Sequence, residues 1–168
     1  MTMSMYQASV PVFGRMLANL AVVLDKGAAH AAAKNFYPTV LVNGRLYPDM
    51  FPLSRQVQVA SDTAKGCVAR LAGEEPPNYE DNEATFPELV SRINRTAAFV
   101  KAFKPAQIDG SEEKQIVLKM RTGTLEFRGL AYLLNFAYPN FYFHVTTAYD
   151  ILRHNGVEVG KMDFLGKP

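Results

Sequence analysis

Residues 129–154 read GLAYLLNFAYPNFYFHVTTAYDILRH. Leu130, Leu134, Ala137, Phe141, His144, Ala148 and Ile151 recur at steps of three and four, the period that puts side chains on one face of an α-helix. The stretch predicts a long amphipathic helix kinked near its middle at Pro139, whose ring removes a backbone hydrogen bond. Asn155-Gly156 supplies the stop. Every residue of the stripe is apolar except His144.

Upstream the period changes. Ile116, Leu118 and Met120, then Leu125 and Phe127, alternate on either side of Arg121-Thr122-Gly123, which predicts a short β-hairpin over 115–120 and 124–127. Before it, the helical period returns three times. Tyr6, Val10, Phe13, Leu17, Leu20 and Leu24 predict a helix over 4–33, with Pro11 in its first two turns. Leu53, Val57, Ala60, Ala64, Cys67 or Val68, and Leu71 predict a second over 52–72, stopped by Gly73 and Pro76-Pro77; its small residues imply a close helix approach. Phe86, Leu89, Ile93, Ala97, Val100 and Phe103 predict a third over 85–103, opened by the capping-box spelling Thr85-x-x-Glu88 and closed by Lys104-Pro105. A short helix is expected within 39–46, an acidic connector over 74–84, and a tail from 157 packing through Met162, Phe164 and Leu165. Four amphipathic helices and one hairpin make an all-α four-helix bundle. The long connectors argue for at least one crossover.

Composition sets outer limits. The 168 residues suit one domain, 1–168, and a 48% hydrophobic, 20% charged balance excludes a disordered chain. Eighteen basic against sixteen acidic residues leave +2, too little for a nucleic-acid surface. One cysteine excludes an internal disulfide or a Cys-rich zinc site, and Cys67 on a helical stripe reads as a quiet buried thiol. No stretch approaches the roughly 18 apolar residues of a membrane span, and nothing has the shape of a signal peptide, so the expected compartment is the cytoplasm.

Three histidines are available. His30 and His154 fall at helix ends, leaving His144 as the ionisable residue on an inward stripe. A buried imidazole must hydrogen-bond or bind a metal, since leaving it unpartnered costs on the order of 1–3 kcal/mol. Asn140 lies one turn earlier on the same face, Gln56 lies beside the stripe of the second helix, and Asp49 and Asp62 are further polar candidates. Amides are weak ligands for zinc, so a hydrogen-bonded core histidine and a metal ligand both stand as readings. A cleft is expected at the mouth of the bundle by His144, walled by Phe51, Tyr142, Tyr6 and Gln7, with a neutral floor better suited to a polar uncharged group than to an anion. Tyr138, Tyr142 and Tyr149 would be exposed in a lone bundle, which points to a homodimer interface.

The run from His144 through Leu152-Arg153 to Gly156 resembles the closing helix of the DinB/YfiT-like superfamily. The phrases MYQASVPVF (5–13), PDMFPLSRQVQ (48–58) and YPNFYFHVTTAY (138–149) resemble an uncharacterised bacterial branch of it. The resemblance implies an up-down-down-up bundle, frequently dimeric, with the hairpin between the third and fourth helices. In many members three histidines hold nickel or zinc, and some transfer or isomerise thiol-linked substrates. Of that triad His144 matches the second histidine of the last helix, while Asn140 and Gln56 stand at the other two places. Three functions follow as expectations. The first is a small-molecule-binding or stress-related bundle with a degenerate metal site and no cofactor. The second is a divergent metal-dependent transferase or isomerase using His144, and the third a dimeric interaction module without catalysis.

Overall fold

The computed structural model describes residues 2–120 and 123–167; Arg121 and Thr122 of the expected turn lie outside the described residues. The chain forms α1 (Val10–Ala33), α2 (Thr39–Val42), α3 (Leu53–Ala72), α4 (Phe86–Ala102), α5 (Pro105–Ile108), β1 (Gln115–Met120), β2 (Gly123–Arg128), α6 (Gly129–Tyr132), a π-helical turn (Leu133–Ala137), α7 (Tyr138–His154) and α8 (Lys161–Leu165). It is mostly helical, with one small antiparallel sheet in which Gln115 pairs with Arg128 and Met120 with Gly123.

Directions of the long helices follow from their contacts. A Cβ built on Gly14 would meet Lys101, and one on Gly27 would lie 2.9 Å from Phe86, so α1 and α4 run antiparallel. Phe13 packs edge-on against Phe141 at 4.9 Å and Gly27 faces Leu152, so α1 and α7 run parallel. Gln56 bonds His144, Thr63 bonds Asn140 and Arg70 bonds Tyr132, which makes α3 antiparallel to α7.

The stripes expected on the first three long helices are buried from Val10 to Leu24, Leu53 to Leu71 and Phe86 to Phe103. α3 is covered on nearly every side, Gln56, Gln58, Ser61, Thr63 and Lys65 included. Polar groups there must be paired, because burying them unpartnered is costly. Ser61 and Thr96 share a 2.6 Å bond, and Gln58 donates to Glu83. Gly73 ends α3 at φ 85°, and the Thr85–Glu88 capping box opens α4.

Several expectations are corrected. α1 starts at Val10 and not near residue 4: Pro11 fits the first turn, and the preceding residues form turns tied down by the 2.6 Å Ser9–Met5 bond. The helix expected over 129–154 is continuous but not uniform: its backbone stays helical throughout and widens to a π turn over Leu133–Ala137. Pro139 follows directly on that turn, so the irregularity expected at the proline takes the form of a change in winding. Upstream of the turn the phase shifts, so Tyr132 and Leu133 are buried while Leu130 and Leu134 are exposed. At the hairpin Ile116 and Leu118 are buried as expected, but Met120 and Leu125 are exposed. In the tail, Phe164 packs on the core and Met162 and Leu165 do not. The tyrosines are not bare either. Tyr138 donates its hydroxyl to the Ala8 carbonyl, Tyr142 packs on Phe141 and Tyr138, and Tyr149 packs on Phe164 and donates to Val159 O.

Candidate functional site: a cavity along the third helix

The polar residues expected to converge separate into two levels between α3 and α7. At one, His144 Nδ1 lies 2.6 Å from Gln56 Oε1, while Gln56 Nε2 donates to the Phe51 carbonyl at 3.0 Å. That second bond fixes the amide, so Nδ1 carries the proton and donates to Gln56. Burial, helped by the Arg55 charge, holds the imidazole below its ordinary value, so the ring is neutral near pH 7. At the other level, Asn140 Nδ2 donates to Thr63 Oγ1 at 3.0 Å, and Thr63 in turn donates to Val59 O. Asn140 and His144 thus serve different partners. Asp49 lies exposed in the turn after α2, and Tyr142 is half-buried beside Phe141, with burial raising its phenol.

The donor set does not fit a three-histidine metal site. His144 offers one ring nitrogen, its other being spent on Gln56, and the remaining two positions are amides engaged elsewhere. Among the described residues no group of three or more His, Cys, Asp or Glu side chains is placed to hold a metal ion. Cys67 is buried and free, and burial pushes its thiol far above the reactive range.

Space lies further along α3. A cavity of about 890 Å3 runs between α3, β1 and the π turn, with Thr63 and Arg70 on one wall, Ile116 and Leu118 on another, and Phe136 and Asn140 on the third. Asn140 is the one expected site residue among its walls besides Asp62. Arg70 Nη1 donates to the Tyr132 hydroxyl at 3.1 Å, and the Tyr132 and Phe136 rings stack at 5.9 Å. Burial pushes the Tyr132 phenol up to about 12, against the lowering effect of Arg70, so the hydroxyl keeps its proton. Asp62 closes one end, held by Lys65 at 2.6 Å and by Arg92 at 2.8 Å.

Behind Asp62, Arg92 is fully buried and gathers the acidic connector. Its guanidinium contacts Asp62, Asp81 and Glu83 and donates to Glu80 O, while Tyr79 lies beneath Lys65, Arg92 and Arg95. Burial opposes its charge, but the Glu83 bond and the charges of Asp62, Glu83 and Asp81 more than offset that and hold it above its ordinary value.

Residues 5–165 match the model of DUF1993, a domain of unknown function. The chain belongs to the DUF1993 family. A crystal structure described as a DinB family member protein from Shewanella denitrificans is 44% identical to this DUF1993 chain, with a TM-score of 0.91, covering 97% of this chain and 92% of that one. No curated protein matches. The likeness to DinB-like proteins read from 144–156 therefore extends over nearly the whole length. Sequence reasoning missed Arg70, Tyr132 and Phe136; Gly66, one turn before Arg70, was the available signal, since a glycine there leaves room for a long side chain to fold back.

Proposed function

We propose that this DUF1993 chain is an up-down-down-up bundle of the DinB type that binds a small molecule without the metal chemistry of its wider superfamily. The pairwise helix directions support the wiring. The observation that carries the functional reading is the open cavity beside α3: about 890 Å3, within the size range of small-molecule pockets, with an apolar wall of Ile116, Leu118, Tyr132 and Phe136 set among charged and polar side chains. The amides at Gln56 and Asn140 support the loss of metal binding.

Two measurements test it. A ligand of the cavity raises the thermal midpoint of the wild type and raises that of Val59→Trp, which narrows the space, by less; a chemically diverse panel with no such compound sinks the reading. Full-length protein purified without a histidine tag is expected to hold under about 0.1 metal ion per chain even after added nickel or zinc. Stoichiometric metal abolished by His144→Ala would favour the metal-dependent enzyme instead.

A homodimer is the second reading. With the tyrosines covered, its support shifts to Phe51 and Phe143, 51% and 55% exposed on either side of the Gln56–His144 pair. A monomer mass independent of concentration in sedimentation removes it.

A further inference from the structure

We infer that the cavity beside α3 takes a small carboxylate with an apolar, aromatic or alkyl body, its acid group held by Arg70 and Tyr132; this rests on the small-molecule reading above.

The Arg70 guanidinium is built into the wall. It folds back over Gly66, where an added Cβ would collide with Nη1, and among the described residues its one protein bond goes to the Tyr132 hydroxyl. Among the described residues it has no carboxylate partner within salt-bridge distance, whereas the buried Arg92 of α4 has three. A guanidinium offers five N–H donors in a planar fork that matches a carboxylate, so most of its bonding capacity is left for a ligand. The Tyr132 hydroxyl accepts from Arg70, and its own proton has no protein acceptor among the described residues. One carboxylate oxygen beside both groups receives a bond from each.

The charges of the lining balance by sign: Asp62, Glu74 and Glu75 stand against Arg70, Lys114 and Lys119, with Asp62 paired to Lys65 and Arg92 and Glu74 accepting from Gln107. Lys114 donates to Leu71 O, covering the end of α3. Next to the guanidinium, the stacked Tyr132 and Phe136 rings with Ile116 and Leu118 form an apolar wall. Asn140, its Nδ2 engaged by Thr63, leaves its carbonyl oxygen for a hydroxyl or amine at the ligand's far end. π turns recur at functional sites, and here one carries Phe136.

The test is titration calorimetry of the full chain with phenylacetate, hexanoate and octanoate and with their uncharged amides. The carboxylates are expected to bind at least about tenfold more tightly than the amides, the worth of a charged hydrogen-bond pair. Arg70→Gln is expected to remove that margin and leave amide binding unchanged. Tyr132→Phe, which keeps the ring and the wall, reduces it in part and serves if Arg70→Gln does not fold. Amides binding as well as the acids, or acids indifferent to both substitutions, overturns the carboxylate inference and leaves the pocket reading standing. Neither series binding overturns both.

Discussion

His144 holds its Nδ1 proton against Gln56 in a buried, neutral state, and that has a pH consequence. Its protonation is disfavoured in the folded protein, first by burial and then by Arg55. Below about 6.5 the unfolded chain takes up a proton that the folded chain resists, so stability is full above that pH and falls beneath it, by at most about 1.4 kcal/mol per pH unit. The loss levels off once the pH passes below the folded value. Denaturant unfolding at pH 7.5 and pH 5.5 should show a drop in the wild type and a smaller one in His144→Gln; equal slopes would refute a buried neutral ring. Arg92 is the opposite case, a buried charge that is needed. Arg92→Met leaves Glu83, itself nearly buried, with the Gln58 amide but no cation and is expected to cost roughly 2–4 kcal/mol, the exposed shares of Asp62 and Asp81 lowering the figure. A loss below about 0.5 kcal/mol, the scale of an exposed pair, contradicts this account.

At the scale of elements, three long helices were legible because their apolar residues keep one phase from end to end. The fourth was legible only after Ala137. A π turn inserts an extra residue per turn, so extrapolating the α7 stripe backwards selects Leu130 and Leu134 when Tyr132 and Leu133 are the buried ones. Periodicity assumes constant winding, and Pro139 announced an interruption without its form. The His144–Gln56 contact was within reach of spacing arguments, while the Arg70–Tyr132 pair joins α3 to a residue whose direction the π turn sets. Helix contacts also place a testable limit at Gly27, where an added Cβ would sit 2.9 Å from Phe86 and 3.0 Å from Leu152. Gly27→Val is expected to destabilise by about 1–3 kcal/mol through overpacking between α1, α4 and α7. An unchanged unfolding midpoint would mean the three helices have room to part.

Across the whole molecule, the segment after α7 returns to α1. Arg15 donates to Leu165 O and Lys167 O, Asn19 to Phe164 O, and Lys26 pairs with Asp163 at 2.7 Å. Phe164 covers a small recess between Leu20, Val23 and Val145. Removing residues 161–168 uncovers that recess and Tyr149, with an expected loss of about 2–3 kcal/mol, most of it from Phe164. Phe164→Ala should reproduce most of the effect, and Lys26→Ala little of it, since exposed ion pairs contribute weakly. A tail like this is hard to read in advance, because its anchors are backbone carbonyls received by a helix far back in the chain. The same non-local character runs through the helix pairing. Gln56 and His144 lie 88 residues apart, and α1 rests on α4 and not on the helix that follows it. Each pairing must close a long loop before any contact compensates the lost chain entropy. This chain is therefore expected to fold on the order of milliseconds or slower, behind bundles whose neighbours in space are neighbours in sequence.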